Sequence, residues 1–194
     1  MREFGWLLEA WTLKQLASVA LALFAATLML FFAWKSRLAY MSLPELPRVP
    51  AGPEAERATV VIPARNEEAN IGRAVGSFPR GQVVVVDDES ADGTASIARE
   101  LGALVVPAPP LKRGLKGKPN ACQAGAKAAP PSDYLLFVDA DTWYEPDFLT
   151  SMVRATAHAD DGLSSAFLRQ ECVTLAERMI LPYAFALYFC GVDA

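Results

Sequence analysis

From residue 58 onward the chain alternates short apolar blocks with segments of helical spacing, and this alternation limits the possible folds more than any other feature. TVVIP at 59–63, QVVVV at 82–86 and YLLFV at 134–138 are runs of strand length, rich in β-branched or aromatic residues. After the first strand, Ile71, Val75 and Phe78 recur at helical spacing; Ser90 to Leu101 reads as a helix stopped by Gly102, and Ala103 to Val106 as a short strand. Pro119 to Ala129 and Pro146 to Ala157 read as helices with proline in the first turn, where its missing N–H costs least. Continuous apolar strands alternating with helices imply an α/β fold whose mostly parallel sheet is covered by helices on both faces.

Ligands of such sheets bind beyond the carboxyl ends of the strands. Those ends carry Pro63, Ala64, Arg65, Asn66 and Glu67, then Asp87 and Asp88, then Asp139 and Asp141. One strand-end aspartate commonly caps a turn, whereas a row of them on one edge points to a shared ligand. Asp139 and Asp141 are two apart, so an extended backbone would aim both carboxylates the same way, as a hard divalent cation requires. The loop PPLKRGLKGKP adds Lys112, Arg113, Lys116 and Lys118 among glycines, which reads either as a solvated basic loop or as a phosphate cover. No G-x-x-x-x-G-K-[ST] is present, so the loop is not a Walker A site. Acids and lysines together suit a diphosphate: a metal neutralises part of its charge and the lysines cover the rest.

The charge balance, 18 Lys+Arg against 22 Asp+Glu, excludes general basic attraction to nucleic acid. Hydrophobic content of 53% is high beside 21% charged residues, and the excess lies in Leu16 to Trp34, nineteen residues without a charge. That run has the length of a transmembrane helix, with Lys14, Lys35, Arg37, Trp11, Trp34 and Tyr40 as interfacial anchors. It exceeds the h-region of a cleaved signal, and no small-x-small site follows it. Lys35, Arg37 and Arg48 after the run against Arg2 and Lys14 before it favour a cytoplasmic C-terminal part.

Residues 1–41 carry four Lys+Arg and two Asp+Glu, so the overall charge of −4 leaves −6 on the remainder. Pro44, Pro47, Pro50 and Pro53 recur at three-residue spacing, which favours an extended spacer over an SH3-type ligand. The expected organisation is an anchor at 1–41, a proline-rich linker at 42–57 and an α/β domain at 58–194. Cys122, Cys172 and Cys190 are widely spaced without a C-x-x-C pair, and His158 is the single histidine, which disfavours zinc, a disulfide framework and histidine-based triads.

VVIPARNEEANIG, VVVVDDESADGTA, GKPNACQAG and LLFVDADTWYEPDFL, in this order, closely resemble the donor half of family 2 glycosyltransferases, which have the GT-A fold. SAFLRQECVTLAERMILPYAF resembles membrane-associated members that glycosylate hopanoid or carotenoid-type lipids. The resemblance implies that Pro63, Ala64, Arg65 and Glu67 line a nucleotide pocket, that Asp87 and Asp88 contact base or ribose, and that Lys118 lies near the diphosphate. Asp139 and Asp141 match the family's D-x-D, whose second aspartate usually binds Mg²⁺ or Mn²⁺ on the sugar nucleotide. The implied reaction is inverting transfer from a UDP-sugar or related donor to a lipid acceptor, by a single-pass inner-membrane protein with a cytoplasmic catalytic domain.

Two family motifs, an E-D type catalytic base and a Q-x-x-R-W acceptor motif, have no match before the chain stops at GVDA, and Asp193 stands outside any matching context. No catalytic base is assigned, and the domain is expected to be incomplete on its C-terminal side. The alternative from another class is a membrane-anchored nucleotide-binding module that needs a partner chain. VDADT also matches the D-x-D-x-T of haloacid dehalogenase-type phosphohydrolases, but that motif belongs on a first strand and three strands precede Asp139 here. A receiver-type acid pocket would need a later strand ending in lysine, which is not visible after Asp141.

Overall fold

The computed structural model describes residues 13–42, 45–111, 114, 116–160, 162–178 and 180–181. Lys112, Arg113 and Asp193 therefore lie outside the described residues. The chain divides into two compact units, Met1–Glu45 with Phe167–Ala194, and Leu46–Ala166.

In the first unit a 30-residue helix, α1, spans Leu13–Ser42. Its segment Leu13–Lys35 is long and apolar enough to cross a membrane. At 1.5 Å per residue, 23 residues reach about 35 Å, against roughly 30 Å of hydrocarbon. Leu21, Phe24 and Leu30 along it are more than 60% exposed, an arrangement that water penalises and lipid does not.

The second unit holds four parallel strands, β1 (Ala58–Ala64), β2 (Val83–Asp87), β3 (Leu104–Pro107) and β4 (Tyr134–Phe137), in the order β3-β2-β1-β4. Helices α2 (Ile71–Gly76), α3 (Thr94–Glu100), α4 (Gly117–Ala128) and α5 (Phe148–Ala157) complete it. The α/β class with a parallel sheet is the expected one, and its two faces are built from alternate residues of the same strands. Val60, Ile62, Val83 and Val85 pack with Ile71, Ala74 and Val75 of α2, Ala98 of α3, and Leu149 and Val153 of α5. Val61, Val84 and Val86 point the other way, onto Ala121 of α4. A Cβ at Gly125 would lie 2.3 Å from Val61 Cγ1 and 2.8 Å from Val86 Cγ2, so α4 seats on the sheet only because position 125 lacks a side chain.

The helix starts differ from the expected ones for a local reason. Ser90 does not open α3, because Ser90, Asp92 and Thr94 accept hydrogen bonds from the amides of Asn66, Glu68 and Glu67 in the preceding β1–α2 loop. Short polar side chains that bond neighbouring backbone compete with helix formation in this way. The proline-rich segment also differs from a free spacer over its last part. Val49 N–H donates to Ser151 Oγ, Gly52 N–H to Thr150 Oγ1, and Glu54 pairs with Arg154 at 2.7 Å, so residues 49–54 are docked on α5.

Candidate functional site

The strand register gathers the polar ends on one edge. Ala64 is level with Asp87, and Asp87 with Pro107. Phe137 is level with Val61 and Val138 N–H donates to Val61 O, so Asp139 follows where β4 ends on the same edge. Of the residues expected at β1, Ala64 is only 3% exposed and packs in the core, Pro63 is half-buried, and Arg65 is exposed. Asp87 spends part of its carboxylate on the turn that follows, accepting from Ser90 N–H at 3.4 Å.

The β1–α2 and β2–α3 loops are stitched together. Asn66 N–H donates to Ser90 Oγ at 3.0 Å while Asn66 Oδ1 accepts from Ala91 N–H at 2.8 Å. Glu68 N–H donates to Asp92, and Gly93 N–H returns a bond to Glu68 Oε2. Asn66 and Glu89 both have left-handed backbone, at φ 55° and 58°. That conformation is tolerable for Asn and costs on the order of 1 kcal/mol for Glu. Glu67, expected in the pocket, is engaged locally: its carboxylate accepts from Asn70 and its amide donates to Thr94 Oγ1.

Beyond these loops the charged groups form a continuous row. Arg65 Nη1 lies 3.7 Å from Asp88 Oδ2, and that same oxygen would stand 3.2 Å from a Cβ at Gly117, so Asp88 sits against the start of α4. One residue on, Lys118 Nζ lies 2.5 Å from Asp139 Oδ1. Arg65, Asp88, Lys118 and Asp139 thus link the ends of β1, β2 and β4 through the first turn of α4. Both partners of the Lys118 pair are more than half exposed, and such a pair contributes only about 0–1 kcal/mol to stability. It can therefore exchange for phosphate oxygens at little cost. A lysine in the first turn of a helix also opposes the helix dipole, so it gains from any anion brought there.

Asp139 and Asp141 are both exposed, flanking the buried Ala140. They do not continue the extended strand: Thr142 N–H and Thr142 Oγ1 both bond Asp139 O, at 3.3 and 2.6 Å, and close a turn. Both carboxylates are exposed, but the extended backbone expected to aim them the same way is replaced by a turn. Thr142 Oγ1 is in turn 2.8 Å from Tyr144 Oη. Burial pushes the Tyr144 phenol above its ordinary value of 10, the Thr142 hydrogen bond opposes this, and the Asp139 and Asp141 carboxylates add to the rise. Tyr144 therefore stays protonated at neutral pH.

Whether these groups suit a divalent cation can be judged from the donor set. Among the described residues no cluster of three or more His, Cys, Asp or Glu side chains is placed to hold a metal alone. Two exposed carboxylates fit the other mode, in which one or two carboxylates share the ion with substrate phosphates and water. Open hollows of about 400 and 390 Å³ lie elsewhere, one lined by Pro107 and Asn120 and one by Arg73 and Trp143, and neither is lined by a residue of the row.

Sequence reasoning placed Asn66 at the strand end without giving it a role, and missed Ser90, Thr142 and Tyr144 as parts of the site. Thr142 had a signal, an Asp followed three residues later by Thr, which favours a turn with side-chain bonding. Tyr144 had none, because Ser77 and Phe78, which hold its backbone and ring, come from a distant segment.

The 4,4'-diaponeurosporenoate glycosyltransferase of Staphylococcus haemolyticus (strain JCSC1435) is 41% identical over 96 residues, covering 46% of this chain and 25% of that protein. The protein of the same name from Staphylococcus aureus (strain USA300) is 39% identical over 101 residues, covering 49% and 27%. The chain thus aligns with about a quarter of the length of these relatives. Among solved structures, glucosyl-3-phosphoglycerate synthase from Mycobacterium tuberculosis matches with a TM-score of 0.49 at 27% identity, over 61% of this chain and 47% of that one. TarS of S. aureus matches with a TM-score of 0.41 at 30% identity, over 52% and 32%. The sequence profile described as Glycosyl transferase family 2 matches residues 59–181, more than half of the chain, and the chain belongs to that family.

Proposed function

We propose that this chain binds a nucleotide-diphosphate sugar, with UDP as the nucleotide, at the carboxyl edge of its sheet and transfers the sugar to a lipid acceptor with inversion. The observation that carries this reading is the row Arg65, Asp88, Lys118, Asp139 at that edge in a family 2 chain. Asp87 and Asp88 would meet base or ribose beside Pro63, Ala64, Arg65 and Glu67, and Lys118 would leave Asp139 for the diphosphate. Asp141, with Asp139, would hold Mg²⁺ or Mn²⁺, which when bound supplies Lewis-acid stabilisation of the departing diphosphate. In the transfer, the acceptor oxygen bonds to the anomeric carbon, the bond from that carbon to the phosphate oxygen breaks, and the nucleotide diphosphate leaves with the electron pair. The acceptor proton passes to a base outside the residues assigned here.

The length and apolarity of α1 support an inner-membrane anchor, and Lys35, Arg37 and Arg48 beyond it support a cytoplasmic domain. A lipid acceptor agrees with such an anchor and with relatives named for 4,4'-diaponeurosporenoate. The second reading, an anchored nucleotide-binding module that needs a partner chain for turnover, is favoured by the composition of the row, which contains groups for phosphate and metal but no assigned base. Calorimetric titration of UDP into the detergent-solubilised chain, with and without Mn²⁺ and with circular dichroism as a control, tests donor binding. Metal-dependent binding supports both readings, and product formation from a UDP-sugar by the chain alone selects the first. No binding by a folded chain overturns both.

A further inference from the structure

We infer that Thr142 and Tyr144 are positioning residues for the Asp139–Asp141 turn, holding it in the shape that receives the metal-bound diphosphate; this rests on the donor-site reading above. Thr142 has one hydroxyl proton, and its 2.6 Å bond to the Asp139 carbonyl uses it. The 2.8 Å contact with Tyr144 must then run from the phenol to Thr142 Oγ1. The result is a directed chain, Tyr144 O–H to Thr142 Oγ1, Thr142 O–H to Asp139 C=O, in which each donor has one acceptor.

The far end of this chain is fixed. The Tyr144 ring stacks on Phe148 at 4.4 Å and tilts against Phe78 at 5.2 Å, while its backbone N–H donates to Ser77 Oγ at 3.0 Å. Phe78 belongs to the core that covers β1 and β2, and the half-buried Phe148 packs against it. The turn that carries the two exposed carboxylates is therefore tied through two hydroxyls to a ring packed against the hydrophobic core of the domain. An acidic turn with no such tie would spend conformational entropy on each binding event, and like charges would drive its two carboxylates apart. Groups that orient metal-directed carboxylates without touching the ion typically change metal affinity by about 10- to 100-fold when removed.

Tyr144→Phe removes the phenol oxygen and keeps the stacking ring; Thr142→Val removes the hydroxyl and keeps the volume; Thr142→Ser keeps the hydroxyl. Mn²⁺-dependent UDP affinity of the full chain is measured by calorimetry, UDP affinity in EDTA is measured alongside, and thermal melts report on folding. Tyr144→Phe and Thr142→Val are expected to weaken the Mn²⁺-dependent affinity roughly tenfold, with the affinity in EDTA unchanged and Thr142→Ser close to wild type. Wild-type affinity in both deletion variants overturns the inference, as does an equal loss with and without Mn²⁺, which would mark a purely structural role. Absence of Mn²⁺-dependent binding in the wild-type chain overturns the donor reading and the inference with it.

Discussion

Lys118 Nζ lies 2.5 Å from Asp139 Oδ1 and joins the first turn of α4 to the loop leaving β4. Both groups are exposed, so the pair adds little to stability and much to the placement of charge at the sheet edge.

Replacing Lys118 by Met should therefore leave the melting temperature almost unchanged, since the exposed pair is worth about 0–1 kcal/mol. UDP affinity in Mn²⁺ should fall roughly tenfold, the value of a charged hydrogen bond to phosphate. Calorimetry and a thermal melt on the same sample check both halves, and full affinity would remove Lys118 from the diphosphate.

Asp141→Asn retains the shape of the turn and removes one charge. The expected result is a loss of the Mn²⁺-dependent part of UDP binding by about tenfold or more, with circular dichroism unchanged. Titrated with Mn²⁺ alone, even the wild-type chain should bind weakly, because the protein offers two carboxylates and the nucleotide completes the site. Tight Mn²⁺ binding without UDP would show a different donor set.

Gly125→Ala places a methyl group 2.3 Å from Val61 Cγ1. Either α4 lifts from the sheet or Val61 leaves its rotamer, an overpacking cost of about 1–3 kcal/mol. Chemical denaturation monitored by circular dichroism should show the lower midpoint; an unchanged midpoint would mean that α4 is seated more loosely than described.

Asp92 accepts from the Thr94 hydroxyl and from the Thr94 and Glu68 amides, which hold its carboxyl below the ordinary value of 3.8. A carboxylate with a lower pKa in the folded state stabilises fully above its unfolded pKa and loses that contribution as pH falls through the folded value. The stitched loops should thus weaken as pH drops below about 4. Asp92→Asn should melt lower at pH 7 and decline less between pH 5 and 3 than wild type; parallel declines would show that Asp92 contributes nothing.

An arginine at Ala22, near the middle of the apolar span, should cost about 2.5–3.5 kcal/mol of insertion free energy. Carbonate extraction of membranes from expressing cells should move the variant toward the soluble or degraded fraction. Equal retention of the variant would argue against α1 as the anchor.

Much of this architecture is legible in the sequence. Runs such as VVVV at 83–86 declare burial on both faces, which requires covering helices and parallel neighbours, and the strand ends then place Asp87, Asp88 and Asp139 on one edge. The partners of those acids were not legible. Lys118 meets Asp139 across 21 residues, and Gly52 meets Thr150 across 98.

The sequence by itself determined the class of sheet, the polar edge and the apolar span of α1, because hydrophobic periodicity and length act locally and each residue carries its own preference for water or for burial. Only the tertiary structure decided that Asp139 and Asp141 sit on a turn tied to Tyr144, that Gly125 sets the seat of α4, and that residues 49–54 dock on α5. Those outcomes depend on strand order, register and the distance between layers, which arise from many distant contacts at once; the local Asp139–Thr142 signal marks a turn but not the ring that holds it.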